Sequence, residues 1–177
     1  GDDDITVGGY TTTVDTGAGD DRVDMNGVDY GDANAMTLDG GADTDTIVIN
    51  DGALLDAATA ANISNFEVLD FTGGTGTYDL SIEDSLDNLK ASTSIAGAVT
   101  ITEFGSANSL ELTAFSDTND ITITLVSDTA ADTATISVIA NDTTDNNTAD
   151  GVTDAAIVIE EVETITIDST ALNGSEY

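Results

Sequence analysis

The chain has 177 residues, and 35 acidic side chains against two basic ones give it a formal net charge of −33. It contains no His, Cys, Pro or Trp, which excludes a Ser-His-Asp triad, a thiol nucleophile, a disulfide and an ordinary zinc site. The sequence also lacks the basic footprint that nucleic acid or an anionic membrane surface requires, whereas its 27 Asp and 8 Glu supply the hard oxygen ligands that calcium prefers.

The acidity does not carry the signature of disorder. Hydrophobic residues make up 40% of the chain, and short alternating runs of Ile, Val, Leu and Phe can bury a core, unlike the Val- and Ile-poor composition of disordered acidic segments. No apolar run approaches the ~20 residues of a membrane helix. The chain starts GDDDITV, without an initiator Met or a signal peptide, and is expected to be a fragment or a processed product.

In chain order, residues 1–52 come first and are Gly/Asp-rich. GAGDDRVD (17–24) matches the last eight positions of the nonapeptide G-G-x-G-x-D-x-U-x, where U is a large apolar residue. GDDDIT (1–6) matches the last six, and GGADTDTIV (40–48) matches all nine except that Asp43 replaces the third Gly. The anchors Ile5, Val14 and Val23 fall nine residues apart, although the middle unit has Thr12 where Asp is expected. A fourth unit, GGTGTYDLS (73–81), has Tyr78 at the Asp position and its Asp one place late, at Asp79.

In this pattern Gly permits a tight turn with φ > 0 whose carbonyls face inwards. The Asp adds a carboxylate beside them, and the apolar anchor starts a short strand. Successive nonapeptides turn on alternate sides of a flattened coil, so units 18 residues apart stack. Asp3 and Asp21 have that separation, and Asp45 lies 24 further on, a spacing that a six-residue insertion around Gly27–Asn34 accommodates. Two carboxylates ~5 Å apart repel by ~3 kcal/mol at an effective dielectric of ~20, and a divalent cation between turns reverses that sign. The expected ligands are therefore Asp2 and Asp3 with the Gly1 carbonyl, Asp21 with those of Gly17 and Gly19, and Asp43 and Asp45 with that of Gly41.

Residues 53–95 carry two segments with helical character. Ala53–Asn62 is rich in helix formers, and Asp84–Ala91 has Leu86 and Leu89 on one face with Asp84 as a candidate N-cap.

From residue 96 the composition shifts to Thr, Ile, Val and Asp. VTITEF (from Val99), LELTAF (from Leu110), ITITLV (from Ile121) and ATISVI (from Ala134) form a repeat with steps of 11, 11 and 13 residues, each alternating apolar and polar side chains. FEVLDF (66–71), YDLSI (78–82) and AIVIEEVETITID (156–168) continue the style. Such units suit either a solenoid or an antiparallel sandwich, and their near-constant length favours the solenoid.

The loop 141–154 adds Asp142, Asp145 and Asp150, with Asp154, Asn146 and Asn147, as a further calcium candidate without EF-hand spacing. Asp29 and Asp32, Asp117 and Asp120, and Asp128 and Asp132 mark weaker candidate loops. The expected architecture is all-β: a right-handed parallel β-roll or β-helix solenoid with short helical decorations. The Gly/Asp repeats of 1–52 would lead into rungs over 53–177 that are continuous with them. An antiparallel β-sandwich is the alternative.

These units resemble the calcium repeats of the repeats-in-toxin (RTX) family. The phrases ISNFEVLDFTG (63–73), SIAGAVTITEF (94–104) and IEEVETITID (159–168) resemble the rungs of RTX-type bacterial surface-layer proteins, with Glu67 and Glu163 each two residues before Leu69 and Ile165. The resemblance implies a calcium-dependent extracellular solenoid, exported from a bacterium by type I secretion, that assembles with copies of itself into a lattice or filament. It implies several Ca2+ ions, with ligand roles at Asp3, Asp21, Asp45 and the neighbouring Gly carbonyls. The leading expectation is thus a structural protein and not an enzyme. An adhesin or stalk module contacting cell-surface polysaccharide is the alternative. Sugar hydrolysis is a poor third: chance carboxylate pairs abound, and four Tyr and four Phe offer few stacking platforms.

Overall fold

The computed structural model describes residues 1–8, 13–25, 37–82, 85–92, 94–113, 119–125, 133–140, 157–160 and 164–171. Among the described residues, fifteen strands alternate between two sides of a coil. On one side lie β1 (Asp4–Thr6), β3 (Arg22–Asp24), β5 (Thr46–Val48), β7 (Val68–Asp70), β9 (Asn88–Ser92), β11 (Ser109–Thr113), β13 (Thr133–Ala140) and β15 (Thr164–Ala171). They form one eight-stranded sheet in that order. The opposite side is a three-stranded sheet of β2 (Thr13–Asp15), β4 (Thr37–Asp39) and β6 (Ile63–Ser64), followed by a four-stranded sheet of β8 (Gly76–Asp79), β10 (Val99–Phe104), β12 (Ile121–Leu125) and β14 (Ile157–Glu160).

Every ladder between these strands is parallel. The fold is therefore an all-β parallel solenoid, and the antiparallel sandwich is excluded. The 11-residue repeat is half a coil: its first and third units, β10 and β12, pair on one side, while its second and fourth, β11 and β13, pair on the other.

Register explains the sequence spacings. Ile5 pairs with Val23 and Val23 with Ile47, while Val14 pairs with Leu38 on the other side. Both sides lengthen by the same amount at this coil, which places the insertion between β3 and β4. The segment Gly27–Asn34 itself lies outside the described residues.

One hydrophobic core runs between the sheets, from Val7, Val14 and Val23 through Ile47, Leu69, Tyr78, Leu89 and Ile101 to Leu112, Ile123 and Ile136. Period-two alternation points these side chains inwards. Tyr78 is fully buried and donates its hydroxyl to the Ile49 carbonyl at 2.9 Å, so its polar end is satisfied inside the core. Burial holds that hydroxyl far above its ordinary pKa.

The helical expectations are realised only in part. Ala53–Asn62 becomes a 3-10 turn, Gly52–Leu54, and a single helical turn α1 (Ala57–Ala60), capped by Asp51 and Asp56. The 3-10 turn sits where the second side breaks between β6 and β8: Gly52 N–H donates to the Thr75 carbonyl at 2.8 Å, and a Cβ at Gly52 would collide with Thr77 backbone. Of the segment Asp84–Ala91, Asp84 lies outside the described residues and 85–91 are not helical. Its end belongs to β9, where Leu89 and Ala91 are buried with Lys90 between them; strand alternation and pairing on both flanks override the short helical pattern.

Both cations sit on the outward side of the eight-stranded sheet. Arg22 lies 3.2 Å from Asp4 on the next strand and 3.6 Å from Asp24 on its own. Lys90 stands in register between Asp70 and Glu111, and its ammonium reaches past β7 to the Thr46 hydroxyl at 3.4 Å.

Candidate metal centre

The corner that enters the eight-stranded sheet is built from Gly turns stacked backbone to backbone. Gly17 and Gly41 take φ of 94° and 89°, conformations that glycine adopts freely. Ala18 and Ala42 form a parallel bridge between the turns, and Ala42 N–H donates to the Gly17 carbonyl at 2.9 Å. A Cβ at Gly41 would collide with that carbonyl, and one at Gly19 would lie 2.7 Å from the Gly1 carbonyl carbon. Close approach, and not only turn shape, therefore requires these glycines.

Asp43 stands where the third glycine of the motif is expected, and it takes the glycine's left-handed conformation with φ 85°. Asp tolerates that region better than most residues. Its carboxylate accepts from Gly19 N–H at 3.2 Å, which ties the two turns together. The motif departure is thus accommodated in the backbone.

Immediately before the strands, acidic residues stack in a column. Asp3 N–H donates to Asp21 Oδ1 at 2.6 Å, Asp21 N–H to Asp45 Oδ1 at 2.8 Å, and Asp45 N–H to Glu67 Oε2 at 2.9 Å. A second set runs beside it with the opposite polarity: Asp20 N–H donates to Asp2 Oδ1 at 3.3 Å and Thr44 N–H to Asp20 Oδ1 at 3.0 Å. The amino group of Gly1 donates to the Ala18 carbonyl.

Burial separates the members of the column. Asp21 and Asp45 are 1% and 0% exposed, whereas Asp2, Asp3 and Asp43 are exposed. The second carboxylate oxygens, Asp21 Oδ2 and Asp45 Oδ2, are buried with no hydrogen-bond partner. A buried acceptor without a partner costs ~1–3 kcal/mol, more when charged. For Asp45, desolvation raises the carboxyl above its usual range, opposed by the Asp21 N–H bond and reinforced by the charges of Asp21, Glu67 and Asp20. The site is therefore an all-oxygen column with a deficit of positive charge.

The structure brings together Gly1, Asp2, Asp3, Gly17, Gly19, Asp21, Gly41, Asp43 and Asp45. Among the described residues no group of three or more acidic side chains converges on a single metal position. Asp142, Asp145 and Asp150 lie outside the described residues, as do Asp29, Asp32, Asp117, Asp128 and Asp132. The unit 73–81 is not part of the column. Its glycines lie on the opposite corner, entering β8, and Asp79 caps the following turn through Ser81 N–H at 3.0 Å.

Glu67 was not singled out as a ligand, yet it heads the column. A sequence signal for it exists: an acid two residues before an apolar anchor recurs at Asp3/Ile5, Asp21/Val23, Asp45/Ile47, Glu67/Leu69 and Asp87/Leu89.

No protein-family model, no curated protein and no solved structure matches the chain.

Proposed function

We propose that this chain is a structural, calcium-dependent extracellular protein that self-assembles, a subunit or domain of a bacterial surface layer or filament, with no catalytic role. The observation that carries the calcium part is the pair of sealed, unpartnered oxygens of Asp21 and Asp45 in a column of carboxylates. Asp3, Asp21 and Asp45 would hold the ions together with carbonyls of the Gly1, Gly17, Gly19 and Gly41 turns. The carboxylates come to each turn singly or in pairs, so the carbonyls supply much of the oxygen shell, as calcium accepts. The bound cation supplies positive charge that cancels carboxylate repulsion and fastens one turn to the next.

Assembly is supported by the strand order. β1 and β15 are the two edges of the eight-stranded sheet. Solenoid coils stack on whatever continues them, and a second copy can do so. Thr faces and the small aromatic content suit contacts between copies. No helix among the described residues is long and apolar enough to cross a membrane, and export by type I secretion belongs to the same proposal.

Electron microscopy with added calcium tests the proposal. Ordered sheets or fibres that dissolve with chelator are expected. Dispersed particles at every calcium concentration would replace the lattice role with that of a stalk or adhesin module. A far-UV circular dichroism spectrum indifferent to chelator at low ionic strength would remove calcium from the account.

A further inference from the structure

The corner after β6 has no glycine, yet it occupies the same place in the coil as the Gly turns. Its sequence is Ser64-Asn65-Phe66-Glu67. Asn65 takes φ 55°, the left-handed conformation that Gly41 and Gly17 supply one and two coils earlier. Its side-chain amide donates to Asp39 Oδ1 at 2.7 Å, which fixes it to the turn below. Its carbonyl occupies the space where a Cβ on Gly40 would be, and that Cβ would also lie 2.7 Å from Asp45 Cβ. This corner is shorter than the 40–45 turn, so an Asp would have less reach into the column. The acid here is instead a Glu, one methylene longer, and its Oε2 accepts from Asp45 N–H at 2.9 Å.

Asp45 therefore lies between acids on both neighbouring coils, Asp21 and Glu67. It is fully buried, and its Oδ2 has no partner. The next acid in register, Asp87, is exposed, and after it the column turns neutral. Asn108 directs its amide to the carbonyls of Leu86 and Asp87 at 3.3 and 3.4 Å and accepts from Gly105 N–H at 2.6 Å. A neutral amide can bridge rungs with its own N–H groups. Carboxylates cannot, because ionised they only accept.

We propose that Glu67 is a calcium ligand shared with Asp45, so that the stapled part of the solenoid extends one coil beyond the Gly/Asp repeats and stops before Asn108. The proposal rests on the calcium reading above and adds to it a site made by a Gly-free turn.

Equilibrium dialysis with calcium measures the stoichiometry of the full chain and of Glu67→Gln, which keeps the acceptor for Asp45 N–H but removes the charge. The variant is expected to bind one ion fewer, or to bind one ion about tenfold or more weakly, while the remaining sites keep their affinity. Amide hydrogen exchange of the unaltered protein is the second measurement, independent of how the variant folds: calcium should slow exchange at Asp45 and Val68, flanking the Glu67 corner, by about tenfold or more. Unchanged stoichiometry and affinity in a folded Glu67→Gln, or no calcium effect on those amides, overturns the role of Glu67 while leaving calcium at Asp21 intact. Absence of calcium binding by the unaltered chain overturns both readings.

Discussion

The first coils and the later ones solve the same packing problem with different means. Strands β1 to β5 have three residues each; β1 to β4 each place one apolar anchor between two polar neighbours, and β5 adds Val48 after its anchor Ile47. Strands β9 to β12 have five or six and bury two or more apolar side chains apiece, such as Leu110 and Leu112 or Val99, Ile101 and Phe104. The entrances to the strands differ in the opposite sense. Early rungs carry Asp3, Asp21 and Asp45, whereas Asn108 and then Ala134 hold the position one before the pair Ser109–Thr135. Where apolar burial per coil is small, the corner carries a carboxylate; where burial is larger, a neutral amide or an apolar residue stands there. Buried area scales with stabilisation, so the two devices trade against each other along the solenoid.

The largest expected effect tests the later half. Phe104→Ala removes a fully buried ring and should cost about 3–5 kcal/mol, by the same amount with and without calcium, as read from urea unfolding. A strong calcium dependence of that loss would break the contrast between the regions.

Calcium removal comes next. At free calcium one hundred times the dissociation constant, a bound ion stabilises by ~2.7 kcal/mol. Chelator should therefore raise hydrogen exchange across residues 1–48 while leaving β9 to β12 nearly unchanged. Uniform loosening of both regions would show that the staple acts on the whole solenoid.

A smaller change sharpens the motif itself. Asp43→Gly relieves the left-handed Asp and should add up to about 1 kcal/mol, offset in part by loss of the acceptor for Gly19 N–H. The urea midpoint of the early transition should rise or stay level, and a clear fall would assign Asp43 a ligand role that its conformation does not suggest.

The smallest effect lies on the side decoration. Asp56 accepts from Thr59 and Ala58 N–H at 2.8 and 3.0 Å, and these bonds hold its carboxyl below the ordinary value of 3.8. Its capping contribution is full above that ordinary value and is lost as pH falls through the lower folded one. Exchange at the Ala58 and Thr59 amides should quicken only in that acid window, with no calcium dependence.

Much of the architecture was legible in the chain. Nine- and eleven-residue spacings are half-coils because two short strands and two corners close one turn, so the anchors Ile5, Val14 and Val23 announce their own sides. The 24-residue step to Asp45 was readable as an insertion for the same reason. The helix expected at Asp84–Ala91 failed because Leu86 and Leu89 fit a helical face locally, while the pairing of β9 with β7 and β11 is invisible to a local pattern.

The sequence by itself determined the composition of the site, an all-oxygen donor set without His or Cys, and the alternation that makes strands. The choice between solenoid and sandwich was decided only by the tertiary structure, because parallel and antiparallel ladders can share the same alternating pattern. Tertiary structure also decided that Asp21 and Asp45 are sealed and Asp3 is not, that Asp43 and Asn65 behave as glycines, and that Glu67 joins Asp45, 22 residues away, in one column. Burial and unpartnered oxygens arise from stacking one coil on the next, and no single turn of the chain contains that information.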